Sequence, residues 1–400
     1  MKSSQLKKIS VIFFFVLLVF LLSGCWDRRE VNDLALVTAA GIDKKSDHVI
    51  ELSVLVFIPK GSSSQQEMSG SPGGGSAQTL MRSAEGSTIA DAMSKLQEKL
   101  PRHIFWGHCE VFIFDEEMAK EKISDQIDFI LRHPQLRERS QLFVSYQKAK
   151  EILKLMPPLE RDISEVLREL GNLEIGMNIT TKDFSQMLTE SGEGALPWIK
   201  ILPPEEDTEK QQTIAFINGT AIFKENKMIG QIDDALTRGV LWLRNEVKLA
   251  TITIKPKVEG GGYISMNLLR AKSKIIPKIE NGKWKIVVKA TAETDIIQNT
   301  TNLDMSSPDV VKPLEKLLNK DIKYKILESL SEVQKNLKTD IFGFSDAFNR
   351  KYPKVWAKQK YRWNDIYPEI EVSVDSNIKI HRFGMGTTFT KNPQKKVQIK

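Results

Sequence analysis

KIIPKIENGKWKIVVKA, residues 274–290, is the stretch whose reading decides the fold. Asn281-Gly282 supplies the two positive-φ residues of a type I′ turn, and Trp284, Ile286 and Val288 alternate with polar neighbours, so the segment predicts a β-hairpin with one apolar face. Pro277 cannot donate a ladder hydrogen bond, which makes the incoming strand an edge or the site of a bulge. An apolar sheet face needs a cover. From Pro308, Val310, Leu314, Leu318, Ile322, Ile326, Leu330, Val333 and Leu337 recur at spacings of three and four, which predicts a long amphipathic helix. Covering a sheet is its ordinary use; a groove for a partner helix is the alternative. Upstream, TITIKPKVEGGGYISMNLLRAKSKI gives two more extended segments around Gly260-Gly261-Gly262. Downstream, Ile370, Val372 and Val374 alternate in a closing strand. The expected fold class is therefore α+β, with an antiparallel sheet packed by helices on one face in this domain.

The first half, through residue 200, alternates strands and helices and reads as an α+β or mixed α/β unit. LALVTAAGID and HVIELSVLVFIP read as strands, with Ile50, Leu52, Val54 and Val56 alternating as a half-buried strand would. Lys60 to Thr79 is almost free of apolar residues and rich in glycine and serine, which predicts a flexible excursion; its glycines match no phosphate-binding spacing. A helix begins at Thr88, where Thr88 and Asp91 form a capping pair and Ile89, Ala92, Met93, Leu96 and Leu100 share a face; Pro101 ends it. Val111 to Phe114 reads as a core strand, and a helix then runs to Arg132 with Met118, Ile123, Ile127 and Ile130 inward. LPPEEDTEKQQ, residues 202–212, marks a domain boundary. After it come two strands around Lys224-Glu225-Asn226-Lys227 and a helix carrying Leu236, Val240 and Leu243.

At the start of the chain, Lys2, Lys7 and Lys8 precede the apolar run Val11–Leu22, with no acid before Asp27. Twelve helical residues reach about 18 Å, short of the roughly 30 Å hydrocarbon core, so an export signal is favoured over a span. Leu22-Ser23-Gly24-Cys25 matches the lipobox of bacterial lipoproteins: aliphatic, small, small, then the cysteine that becomes the new N-terminus. Cys25 is expected to carry a diacylglyceryl thioether with palmitate-like chains. At about 0.8 kcal/mol per buried CH₂, two chains anchor a protein by about 20 kcal/mol.

Without the leader's three lysines the net charge of +7 falls to +4, too mild to argue for nucleic acid. Cys109 is the only other cysteine, so no disulfide is available once Cys25 is lipidated. His103, His108 and Cys109 are the nearest approach to a metal cluster, but the spacing suits neither a helix face nor a knuckle. No G-x-S-x-G, H-E-x-x-H or C-x-x-C occurs. The acidic pairs Glu116-Glu117 and Asp233-Asp234 are adjacent on helices and point apart, which suits helix N-termini better than acid–base chemistry. No catalytic residue, cofactor or metal is assigned.

One charged stretch stands out. AFNRKYPKVWAKQKYRW, residues 347–363, holds six basic residues and no acid, interleaved with aromatics. Arg350, Lys351, Lys354, Trp356 and Lys358 are its candidate contact residues, toward anionic lipid or an acidic loop of a membrane partner. The structural alternative is a helix with aromatics in the core and lysines in water. Lys391, Lys395, Lys396 and Lys400 form a basic tail over 391–400.

CWDRREVNDLALVTAAGID (25–43), EGSTIADAMSKLQEKLPRHIFWGHCEVFIFDEEMA (85–119), GTAIFKENKMIGQIDDALTRGVLWL (219–243) and DIFGFSDAFNRKYPKVW (340–356) resemble the Ger(x)C family of spore-germination lipoproteins, the C subunits of nutrient germinant receptors. The resemblance implies a lipid-anchored subunit on the outer face of the spore inner membrane. It also implies two integral-membrane partners, an A-type subunit with a soluble N-terminal domain and a transporter-like B-type subunit. It implies three α+β domains. The expected organisation is a signal peptide at 1–24, an N-terminal domain at 25–205, a small middle unit at 213–250, a C-terminal domain at 251–390 and the tail. The expected function is non-enzymatic assembly and signalling. Two rivals remain: a solute-binding lipoprotein, which needs an interdomain cleft with convergent polar groups, and a lipid-anchored hydrolase, which needs a nucleophile with a base in reach.

Overall fold

The computed structural model describes residues 13–14, 33–57 and 79–382. The lipobox with Cys25, nearly all of the 60–79 excursion and the basic tail lie outside the described residues.

Two sheets carry the molecule. The first contains β1 (Leu34–Ser46), β2 (Val49–Phe57), β3 (Thr79–Gly86), β4 (His103–Phe105), β5 (Val111–Asp115), β6 (Gln141–Ser145), β7 (Gly194–Ile201), β8 (Ala215–Lys224) and β9 (Lys227–Asp233). Their order is β3-β2-β1-β5-β6-β7-β8-β9, with β4 beside β1. β1, β5, β6 and β7 run parallel and the two ends are antiparallel. Apolar side chains pack on both faces of this sheet, the antiparallel β2 included. That corrects the half-buried reading of β2: Ile50, Leu52, Val54 and Val56 face one core, while Leu55 on the other side packs with Ala149, Ile152 and Leu153. Those three belong to α4 (Ala149–Leu153), whose first amides donate to the Asp43 carboxylate at 2.6 and 2.9 Å.

α1 (Ile89–Glu98) starts where the capping pair places it, Thr88 Oγ1 accepting from the Asp91 amide at 3.1 Å, and it buries Ile89, Ala92 and Leu96. The single helix expected up to Arg132 is two, α2 (Glu116–Ala119) and α3 (Ser124–Arg132). The Ile123 amide donates to the carbonyl of Asn226 in the β8–β9 turn at 3.0 Å, which draws the chain out of helical register there. Met118, Ile123, Ile127 and Ile130 are nonetheless all buried. α5 (Ile163–Asn172) and α6 (Thr181–Ser191) complete this domain; α6 opens on a full capping box of Thr180 and Asp183.

The second sheet has the order β10 (Thr251–Ile254), β11 (Ile264–Glu280), β12 (Lys283–Asn299), β13 (Glu371–Arg382). The hairpin closes as its sequence predicts, with Asn281 at φ 52° and Gly282 at φ 77°. Pro277 faces Ile286 in the ladder, beyond the reach of β10, which pairs only with Ile264–Asn267, so β11 is an edge there. Three strands are antiparallel as expected, but β13 runs parallel to β12. The chain between them forms α8 (Pro308–Leu330), a π-helical turn (Ser331–Asn336), α9 (Phe344–Lys351), α10 (Pro353–Gln359) and α11 (Trp363–Ile366). This helical crossover returns the chain to the end where β12 began. α8 buries Val310, Leu314, Leu318, Ile322, Ile326 and Leu330 as its periodicity predicts. It also closes the outer edge of β13: the Asn319 amide donates to Ile378 O and accepts from Ile378 N, both at 2.9 Å, and Glu315 accepts from Ile380 N at 3.0 Å.

Segment 213–250 is divided. Its strands β8 and β9 end the first sheet, whereas its helix α7 (Asp234–Arg244) lies against α8. The contact is close at Gly239, where a Cβ would fall 2.0 Å from Ser329 Oγ and 2.5 Å from Lys325 O. Ser329 Oγ donates to Leu236 O across it at 2.7 Å.

Candidate functional site

The basic stretch becomes a strap of short helices, α9 to α11, over the inner face of the hairpin. Pro353 interrupts the path and opens α10 at its first turn, where the missing amide costs nothing. Phe348, Trp356 and Trp363 turn inward. Phe348 is fully buried with its ring centroid 4.5 Å from Trp284, and Trp363 contacts Trp284, Phe348 and Trp356 at 6.1, 6.0 and 5.0 Å. Trp356 is therefore half-buried in an aromatic cluster, while Arg350, Lys351, Lys354 and Lys358 are exposed. Lys351 Nζ donates to Pro277 O at 2.8 Å, tying the strap to the edge of β11. Tyr361, 85% exposed, projects beside Lys360, whose ammonium lies 5.0 Å from its ring centroid. The arrangement combines the structural reading with a basic outer surface: the rings hold the strap down and the cations face water.

Most of the residues weighed for chemistry have structural partners. Cys109 is fully buried, its thiol 3.6 Å from Val111 O, and burial pushes it far above the ordinary thiol range. His103 is exposed on β4 and His108 lies edge-on to Phe105 at 5.8 Å. Among the described residues no three His, Cys, Asp or Glu side chains are placed to hold a metal ion. Glu116 pairs with Lys120 at 2.6 Å and Glu117 with Lys148. Asp233 caps α7 through the Leu236 amide, and Asp234 lies 3.6 Å from Arg238.

Sequence reasoning missed a buried acidic junction between the two sheets. Glu193, just before β7, accepts from the Asp340 amide at 2.7 Å, and Asp340 accepts from Phe344 N and Ser345 N at the start of α9 at 3.0 and 2.7 Å. Tyr367 donates its hydroxyl to Thr339 O at 2.8 Å. Lys224 lies 3.6 Å from Glu193 and donates to Lys338 O at 2.5 Å; Arg244 donates to Ile341 O at 2.6 Å. Burial outweighs the nearby ammonium, so the Glu193 carboxyl is pushed up to about 7, and burial likewise raises Asp340 and Tyr367. The one local signal is Asp340 standing before Gly343-Phe344 as a helix-opening acid would. Glu193 offers none.

A cavity of about 350 Å³ opens beside this junction, lined by Asp183, Glu190, Arg244, Glu246, Asp346 and Ser345 among others. Its acids are engaged through at least one oxygen each, although the second carboxylate oxygen of Glu246 is buried without a hydrogen-bond partner. Asp183 completes the capping box, Glu190 accepts from Gln186 at 2.8 Å, Glu246 from Arg244 at 2.9 Å, and Asp346 lies 3.9 Å from Arg350. No helix among the described residues is long and apolar enough to cross a membrane.

Two family models cover this architecture. The one described as "Spore germination protein N-terminal domain" matches residues 27–201, and "Spore germination B3/ GerAC like, C-terminal" matches residues 218–384. The chain is 29% identical over 371 residues to "Putative spore germination protein YfkR" of Bacillus subtilis (strain 168), covering 92% of this chain and 95% of that protein. It is 28% identical over 397 residues to "Spore germination protein KC" of the same organism, covering 92% and 94%. Among solved structures, the "Crystal Structure of the GerBC protein" shares the fold with a TM-score of 0.56 at 20% identity, over 88% of this chain and 99% of that one. With both halves matched in order across nearly the whole folded body, the chain belongs to the B3/GerAC-like family of spore germination proteins.

Proposed function

We propose that the protein is the lipid-anchored C subunit of a nutrient germinant receptor on the outer face of the spore inner membrane. It acts there as a non-enzymatic assembly and signalling subunit beside the A-type and B-type membrane subunits. The observation that carries this reading is positional: the first family match begins two residues after Leu22-Ser23-Gly24-Cys25. The chain changes at one cysteine from a leader to a germination-protein body, and acylation of Cys25 would hold that body at a membrane without a span. The exposed cations Arg350, Lys351, Lys354 and Lys358, held on a rigid aromatic base, supply a contact surface for a partner or the membrane.

A second reading has one observation behind it. The cavity beside the junction is the feature a solute-binding lipoprotein requires; at about 350 Å³ it sits at the low end of the roughly 300–1,000 Å³ of ligand sites, and a wider cleft of about 810 Å³ adjoins it between α7, β11 and the strap. The acids named around it have local partners, Glu246 through one of its two oxygens, so the cavity lacks a convergent set of free polar groups among the described residues. Assembly remains the better reading. The test is the mass of the N-terminal peptide together with nutrient-triggered germination of Cys25→Ala spores. A diacylated Cys25 and failed germination of the variant support it. An unmodified N-terminus, or normal germination of the variant, contradicts it.

A further inference from the structure

The hairpin that decides the fold has an outer face as well as an inner one. Ile286 and Val288 are buried beneath the helices, so the alternate residues face away from them. The register sets Lys274 directly opposite Lys289 and Lys278 directly opposite Lys285, with Lys272 and Lys283 at the two ends of the same face. Like charges placed directly opposite in an antiparallel pair destabilise it. Between Lys272 and Thr291 the one acid on this face, Glu280, is shared by Lys278 at 3.7 Å and Lys285 at 3.8 Å; Lys285 also reaches Glu371 at 3.3 Å, and Glu293 follows opposite Arg270. Lys274 and Lys289 are exposed and lack an acid within 4.0 Å among the described residues, although the β12–β13 ladder sets Asp375 beside Lys289. A fold that keeps such repulsion has a use for an external anion.

The composition of the face selects the kind of anion. Cores of protein interfaces are depleted in lysine and enriched in arginine and aromatics, and the outer face of this hairpin, from Lys272 to Thr291, has neither. Lysine presents a strongly hydrated point charge on a flexible stem, without the planar fork that grips one carboxylate or phosphate. A grid of such charges on an open sheet face suits a diffuse charged plane. Lys351 binds the strap to the Pro277 carbonyl, so the basic strap borders the same strand. We propose that the outer face of the β11–β12 hairpin rests on anionic lipid headgroups and sets the orientation of the C-terminal domain on the membrane. This deepens the tethered reading above and rests on it.

The full chain, reconstituted in vesicles of phosphatidylcholine alone or with about one-third phosphatidylglycerol, is labelled with an amine reagent and each lysine is followed by mass spectrometry. Labelling of Lys274, Lys278 and Lys289 should slow about tenfold in the anionic vesicles only, and recover in about 1 M salt; Lys95 and Lys182 on the other domain should not change. K274Q/K289Q should lose the protection while unfolding at a higher denaturant concentration than the wild type, because the repulsion is gone. Equal labelling in both vesicle types overturns the proposal. So does protection that appears only when other spore-membrane proteins are added, which would make the occupant an acidic protein. The mass of the N-terminal peptide reports the Cys25 anchor independently, so the failure of one idea is not the failure of the other.

Discussion

At the scale of single residues, Glu193 makes the sharpest prediction. Its carboxyl is held near 7 against an ordinary 4.5 because burial disfavours the anion more than Lys224 favours it. The fold therefore binds this proton more tightly than the unfolded chain does. The resulting stability is fully present below about pH 4.5 and is lost as pH rises through about 7, a swing of about 3 kcal/mol. Glu193→Gln, which stays neutral, should flatten that part of the profile and be more stable than the wild type at pH 8, read by chemical denaturation across pH. Parallel profiles for the two proteins would assign the raised value to another group. Cys109 should resist thiol reagents in the native state and react only on unfolding. The residue scale is also where the sequence was least legible. Cys109 stands two residues before an apolar strand, the setting of a core cysteine, but Glu193 and Asp340 meet across 147 residues, and no local pattern marks a pair made only by the tertiary fold.

Elements were more legible, for a physical reason that also sets the limits. Capping pairs, Asn-Gly turns and periodicity act within a few residues, so α1, α8 and the β11–β12 hairpin could be placed from the chain alone. Strand direction cannot be read that way. β13 alternates identically whether it runs parallel or antiparallel to β12, and only the helical crossover decides. The break between α2 and α3 is likewise set by a bond from Ile123 to the distant Asn226. Two substitutions test how elements are held. Gly239→Ala places a methyl carbon 2.0 Å from Ser329 Oγ, so α7 and α8 must separate; a loss of about 2–3 kcal/mol is expected, with faster amide exchange in both helices. Asn319→Leu removes the side chain that closes the β13 edge. It should cost about 2 kcal/mol and promote self-association through the uncovered strand, measured by denaturation and by light scattering.

At the scale of the whole molecule, the two sheets are joined by α7 and by the buried acidic junction, and neither is built for loose tethering. The basic strap belongs at this scale because Lys354 and Lys358 are exposed on its outer surface, whereas Lys351 is tied to Pro277 O. Reversing Lys354 and Lys358 to glutamate leaves the aromatic cluster untouched, so the unfolding transition should stay within about 0.5 kcal/mol of wild type while recovery of membrane partners falls. The measurement that bears most directly on the central claim is purification of the tagged protein from spore membranes, beside its Cys25→Ala variant, with identification of what accompanies each. The account predicts that multi-span membrane proteins accompany the wild type and are lost with the variant. A protein that emerges alone from the membrane, and instead binds a small nutrient directly, would contradict it.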